Sequence, residues 1–236
     1  MIVLVTRGGR SGTFALADGE EHHLRVRRAE DGELVDLRDG FGLVGIGRLQ
    51  RQGRGWTVEV ETAREVSAPA PLTLGVGAGD RERFEWLVEK AAELGVTAIV
   101  PLETERAVGV GSRLRTGQAD KLRRRALEAV KQCGAAWAPA IENPAPLATF
   151  LARPVSGTRW LADPEGSAPR AVGSDELTIV VGPEGGLTAA EREAVLAAGY
   201  QPVALCENIL RFETAAVAAA AVAAAARSGE PGGLHA

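Results

Sequence analysis

The chain has 236 residues, 45% apolar and 25% charged, with a formal net charge of −4. That length admits one large domain or two small ones. The apolar fraction supports a packed core and excludes global disorder, and the acidic balance excludes a wholly basic nucleic-acid coat protein.

Residues 1–66 read as a small β-rich domain. Ile2–Val5, Leu34–Leu37, Leu43–Ile46 and Trp56–Glu61 are short apolar or alternating runs. The turn signals Asp31-Gly32, Asp39-Gly40 and Gly53-x-Gly55 separate them, a spacing that predicts a small barrel. A Pro-rich linker follows at Ser67–Pro71.

From residue 72 to 236 the pattern becomes α/β. Leu72–Val76 reads as a strand. Arg83–Leu94 places Phe84, Leu87, Val88, Ala91 and Leu94 on one helical face, with Gly95 as the stop. Val96–Pro101 is strand-like, and Gln118–Cys133 is helical up to Gly134. Trp160–Ala162, Thr178–Gly182 and Pro202–Leu205 read as strands. Thr188 with Glu191 forms a capping box that opens a helix ending at Gly199. The alternation predicts a largely parallel sheet. The tail, Ala215–Ala226, is Ala-rich and helix-prone.

Charge is distributed unevenly. Residues 106–131 carry eight basic and two acidic side chains, including Arg106, Arg113, Arg115, Arg123, Arg124 and Lys131. Such a stretch attracts phosphate, and it also suits a solvated helix face. Cys133 and Cys206 form no C-x-x-C, which excludes a disulfide framework and fits a reducing cytoplasm. Three His and two Cys spread along the chain predict no metal site, so Cys133 reads as core and Cys206 as an apolar filler. No run of about 18 apolar residues precedes the tail, so no membrane span is expected. Met1-Ile-Val-Leu-Val-Thr-Arg7 is too short and has its charge on the wrong side for a signal peptide.

Two glycine motifs compete for the chemistry. Gly75-Val-Gly77-Ala-Gly79 has the look of a Rossmann-like methyltransferase loop, but Asp80 stands where a third glycine is required. An ordinary strand-to-helix turn is the simpler reading. Gly182-Pro-Glu-Gly-Gly186 follows a strand directly, at the strand end where open α/β sheets bind ligands. A second segment, Leu205 to Ala215, also begins at a strand end, so the two loops can converge on one pocket.

Gly182–Gly186, Thr188-x-x-Glu191 and Ile209-Leu-Arg-x-Glu-Thr-Ala215 together resemble the RsmE family of bacterial methyltransferases, which modify N3 of a uridine in 16S ribosomal RNA. Arg83–Gly95, Glu105-Arg106, Glu128–Gly134 with Pro139-x-Ile141, and His22–Arg28 with Asp36–Gly40 extend the resemblance over nearly the whole chain. It departs at Ala135 and Ala136, and near Ala78-Gly79, where the family usually carries basic residues, and at Leu205-Cys206, where it has Leu-Gly.

The resemblance implies a knotted SPOUT methyltransferase domain (α/β, with a trefoil knot) behind a PUA-like RNA-binding β-barrel. It implies S-adenosylmethionine as cofactor, held by Leu161, Ala162, Gly182, Pro183, Glu184, Gly185, Gly186, Leu205, Cys206, Ile209, Leu210 and Arg211. Arg211 stays protonated, so its expected role is to stabilise charge on the uracil. Glu184 is a candidate base or orienter, with capping of backbone amides as the plainer role. Arg25, Arg27, Arg28, Arg106, Arg123, Arg124 and Lys131 are the expected contacts to 16S rRNA of the small subunit or its precursor. A homodimer through residues 213–226 is implied as well. The alternatives are a Rossmann-like enzyme using Gly75–Gly79 and an inactive RNA-binding homologue.

Overall fold

The computed structural model describes residues 1–6, 12–53, 55–77, 79–107, 118–169 and 176–227. Ala78, Arg113 and Arg115 lie outside these. The chain divides into two compact units. One comprises Met1–Pro69 and Leu127–Ala138, the other Ala70–Ala126 and Pro139–Ala236. The helix α3, Gln118–Cys133, therefore contributes residues to both.

The first unit holds strands β1 (Ile2–Leu4), β2 (Thr13–Ala15), β3 (Leu34–Arg38), β4 (Leu43–Gln52) and β5 (Gly55–Glu65), hydrogen-bonded in the order β1-β3-β4-β5-β2. β1 and β3 are parallel, and the other pairs are antiparallel. Beyond β1 and β2 a single bridge joins Val5 to Leu16, with the Thr6 amide donating to the Ala15 carbonyl at 3.0 Å. Alternation places Val35, Leu37, Leu43, Leu49 and Val58 inward with Val3 and Val5. The Asp39-Gly40 turn forms as its residue types dictate: Asp39 Oδ1 accepts from the amides of Phe41 (2.7 Å) and Leu43 (3.0 Å), and Gly40 has φ +76°.

The unit also contains a helix the residue pattern does not announce. α1, Glu20–Arg27, buries only Glu20 and Leu24, and its N-cap is Gly19 with no side-chain cap. Glu20 is 2% exposed, and both its oxygens accept from Lys131 Nζ, at 2.7 and 2.8 Å.

The second unit is a parallel sheet. Its strands are β6 (Leu72–Gly77), β7 (Ala98–Glu103), β8 (Ala140–Ile141), β9 (Ala145–Pro146), β10 (Thr158–Ser167), β11 (Leu177–Val181) and β12 (Gln201–Val203). The order is β12-β10-β11-β6-β7-β8, with β9 also on β7, and every pair is parallel. β11 is buried along its length, as expected of a strand covered on both faces.

Helices α2 (Arg81–Glu93), α4 (Leu147–Leu151), α5 (Ala189–Ala197) and α6 (Phe212–Arg227) belong here too. α2 buries the predicted stripe Phe84, Leu87, Val88 and Ala91, and Gly95 at φ +75° ends its turn. α5 carries the predicted capping box, with Glu191 Oε2 accepting from Thr188 N at 2.9 Å and Thr188 Oγ1 from Glu191 N at 3.3 Å. α6 packs on α2 and on the sheet. Its Ala216, Ala219, Ala220 and Ala223 are completely buried.

Two sequence expectations fail. Cys133 is exposed rather than core, because the buried stripe of α3 passes through Leu122, Ala126, Ala129 and Val130 instead. The Gly75–Gly79 motif is not a loop throughout: Gly75, inside the expected strand Leu72–Val76, and Gly77, beyond it, both lie in β6, paired with Val100 and Leu102. They are glycines because neighbours crowd them. A Cβ at Gly75 would lie 2.7 Å from Phe150 Cζ, and one at Gly77 would lie 2.9 Å from Pro183 Cδ.

Candidate active site

Three neighbouring strands, β12, β10 and β11, end at one place, and each is followed by a segment rich in open backbone. β11 runs into Gly182–Leu187, β12 into Ala204–Arg211, and β10 shifts register against β12 between Ala162 and Ser167. Gly166 permits that shift, since a Cβ there would sit 2.4 Å from the Pro202 carbonyl carbon.

Together these segments enclose a cleft of about 400 Å³. Its lining includes Leu161, Ala162, Gly182, Pro183, Glu184, Gly185, Gly186, Leu205, Cys206, Ile209 and Leu210. Arg211, also expected there, is exposed and lies outside the lining. No sequence signal announced Asp163 and Glu165 of β10 and Arg192 of α5, which also line the cleft. Arg192 Nε meets Asp163 Oδ2 at 2.6 Å and Arg192 Nη2 meets Glu165 Oε2 at 3.4 Å. Asp163 Oδ1 also accepts from Glu165 N at 2.9 Å, so the carboxylate holds the β10 excursion in shape.

The volume and mixed lining suit a small organic ligand. Among the described residues, the backbone amides of Cys206–Leu210 have no protein acceptor, and exposed amides at a strand end are ready hydrogen-bond donors. Leu161, Val181, Leu205 and Phe212 supply apolar wall. A flat heteroaromatic group with polar edges fits this combination.

The Glu184 carboxylate is already engaged, with Oε2 accepting from Gly79 N and Oε1 from Asp80 N, both at 3.2 Å. It tethers the glycine loop to the start of α2, where the helix N-terminus favours a negative charge. That removes it from the role of free base and leaves it as an orienter. Glu213, at the start of α6, faces Arg83 at 3.6 Å.

A family model described as an RNA methyltransferase domain matches residues 66–224. The ribosomal RNA small subunit methyltransferase E of Synechocystis is 31% identical over 226 residues, which span 89% of this chain and 72% of that protein. The chain belongs to the ribosomal RNA small subunit methyltransferase E family. Among solved structures of the family, the Neisseria gonorrhoeae enzyme bound to S-adenosylmethionine is 27% identical with a TM-score of 0.82, covering 94% of this chain and 95% of that one. A Legionella pneumophila methyltransferase in complex with the same cofactor is 26% identical with a TM-score of 0.83, covering 96% and 97%.

The basic residues expected at an RNA surface divide into two groups in this RsmE-family protein. Arg25, Arg28 and Arg124 have no partner among the described residues, and Arg27 makes only an exposed pair with Glu33 at 3.2 Å. Arg123 pairs with Asp120 and is half-exposed. Lys131, in contrast, is 13% exposed and committed to buried Glu20. Arg106 is committed too, since its Nη1 donates to the carbonyls of Gly185 (2.7 Å) and Leu187 (3.3 Å). His23 and Glu128 stand near Glu20 in an array with metal-ligand spacing, but the Lys131 ammonium already supplies the cation that Glu20 needs.

No helix among the described residues is long and apolar enough to cross a membrane.

Proposed function

We propose that this protein transfers the methyl group of S-adenosylmethionine to N3 of a uridine in the 16S rRNA of the small ribosomal subunit or its precursor. The observation that carries the reading is the convergence of Gly182–Gly186 and Leu205–Leu210 on one cleft at the carboxyl ends of three parallel strands, in a chain of this family. Leu161, Ala162, Gly182–Gly186, Leu205, Cys206, Ile209 and Leu210 would hold the cofactor, with the free amides of Cys206–Leu210 reading the adenine edge. Bound S-adenosylmethionine supplies an activated methyl group on a sulfonium.

The protein's part is alignment and charge control. Uridine N3 must lose a proton before it attacks, and negative charge then spreads to the uracil oxygens. Arg211, exposed beside the cleft, is the group we assign to stabilise that charge. Glu184 orients the loop through the Gly79 and Asp80 amides.

The finer architecture is part of the same proposal. The chain leaves β11, passes through α5 to β12 on the far side of β10, and returns along the cleft to α6. That path supports a trefoil knot of the SPOUT kind in residues 72–236. The Val5–Leu16 bridge between the outer strands of the first sheet supports a PUA-like barrel in residues 1–66. Arg25, Arg27, Arg28, Arg123 and Arg124 are the proposed phosphate contacts, and a cytoplasmic site of action follows from the substrate.

A homodimer through α6 fits as well, but not through every residue of the expected segment 213–226. Ala219 and Ala220 are fully buried within the protein's own fold, which leaves Thr214 and Ala225 exposed and Ala218 and Ala221 half-buried.

The deciding test is mass spectrometry of 16S rRNA nucleosides from cells with and without the gene, with calorimetric titration of S-adenosylmethionine. Loss of 3-methyluridine on deletion is the expected result. A protein that binds RNA yet takes up no cofactor would refute the reading. Arg124→Glu should weaken binding to small subunits and steepen nothing in the cofactor titration, and RNA affinity should fall with salt.

A further inference from the structure

Arg106 lies outside the cleft lining, yet it touches the glycine loop from behind. β7 ends at Glu103, and the short turn Glu105–Ala107 turns the Arg106 side chain onto the loop. Nη1 serves two carbonyls, Gly185 O and Leu187 O, on either side of Gly186, which has φ +68°. Each carbonyl shares a rigid plane with the next residue's amide. The Gly186 amide donates to Pro183 O at 2.8 Å and the Thr188 amide to Glu191 Oε2 at 2.9 Å. Fixing the two carbonyls therefore fixes two peptide planes and the course of the loop between them.

The same turn is tied a second time. Glu191 Oε1 accepts from the Glu105 amide at 2.8 Å while Oε2 serves the cap of α5. The aliphatic stem of Arg106 also covers Gly185 closely, since a Cβ there would be 3.3 Å from Arg106 Cβ and 3.4 Å from Cδ.

We propose that Arg106 is a positioning residue for the cofactor, holding the Gly182–Leu187 loop in its binding shape through two carbonyls that face away from the ligand. The inference rests on the cofactor assignment above and adds to it a residue that the charge pattern would send to RNA. It also accounts for Gly185 in this protein: a side chain there would push the guanidinium off its acceptors.

The test is calorimetric titration of S-adenosylmethionine into the full-length wild type, Arg106→Lys, Arg106→Met, Gly185→Ala and the Gly185→Ala/Arg106→Met double variant, with thermal midpoints for each. Arg106→Met keeps the stem and removes the donors. Loss of charge-assisted bonds predicts about tenfold weaker binding. Arg106→Lys should recover part of that loss. KM for the cofactor should rise with kcat at saturation nearly retained. The double variant should bind about as weakly as the worse single variant, because both act through one contact.

Wild-type affinity in Arg106→Met, additive losses in the double variant, or a lowered thermal midpoint with unchanged affinity would each overturn the proposal. A wild-type protein that takes up no cofactor would overturn this proposal and the assigned function together, a different outcome from failure of Arg106 alone.

Discussion

Replacing Gly75 by Ala separates the two glycine motifs. A Cβ at Gly75 would meet Phe150 at 2.7 and 2.8 Å and Leu102 Cδ1 at 3.1 Å. Carbon atoms pack at about 3.5–4.0 Å, so the ring must retreat by roughly 0.8 Å. Phe150 and Leu102 are 2% and 1% exposed, and β6 is hydrogen-bonded to both neighbours at this point, so neither side yields freely. Overpacking of this kind costs about 1–3 kcal/mol. At about 2–4 °C per kcal/mol for a chain of this size, the melting temperature should fall by roughly 2–12 °C. The variant should still bind S-adenosylmethionine normally well below its transition. Phe150→Leu in the same chain should recover part of the loss, since the two sites are in contact. Scanning calorimetry and a cofactor titration read both quantities. An unchanged melting temperature with lost cofactor affinity would refute the argument and make Gly75–Gly79 the binding loop.

Lys131→Met leaves the Glu20 carboxylate buried without its cation, and breaking such a pair costs about 3–5 kcal/mol. Denaturant unfolding should show the loss, whereas weakened RNA binding at full stability would mark Lys131 as a surface contact after all. Glu85 should give a pH-dependent contribution. Burial pushes its carboxyl up, but hydrogen bonds and charges from Lys121 and Arg81 outweigh that and hold it below its ordinary 4.5. A depressed value means stability that is present above pH 4.5 and lost as pH falls through the folded-state value. The penalty of Glu85→Gln should accordingly be full at neutral pH and fade below 4.5; a penalty unchanged in acid would contradict this. On α6, Ala225→Arg should shift a dimer towards monomer in light scattering with little change in stability. Ala219→Trp should instead lower stability by about 1–3 kcal/mol through overpacking, and the reverse pattern would invert the assignment of faces.

The legible parts of the chain were those where a local device sets the structure. Gly95, Gly134 and Gly199 all adopt positive φ at helix ends, and Thr188 with Glu191 forms its box, because these signals act over three or four residues. The glycine loop was visible because Gly182–Gly186 follows a run of apolar strand residues. What escaped notice depends on distance or on weak pattern. α1 has two buried residues in eight and no capping side chain, so its sequence carries no helical period. Asp163 and Arg192 are 29 positions apart and meet where β10 shifts register. A tail of alanines broken only by Val217 and Val222 cannot say which of its faces is inside, so the burial of Ala216, Ala219, Ala220 and Ala223 was not legible. The basic stretch read correctly as charge but not as destination, since the acceptors of Arg106 and Lys131 lie 79 and 111 residues away.

The division of α3 has a consequence for how the chain is made. Met1–Pro69 is completed by Leu127–Ala138, which supplies the Lys131 partner of Glu20 and Leu127 Cδ2, so close to Gly40 that a Cβ there would stand 2.4 Å away. The N-terminal portion thus leaves the ribosome as an unfinished piece. At about 5–20 residues per second, roughly 3–14 s of further synthesis must pass before its last segment is available. Until then Glu20 and the apolar residues beneath α3 have only water or a chaperone for company. A fragment cut at the Pro-rich linker would remain in that state permanently, which makes the linker a poor place to divide this protein.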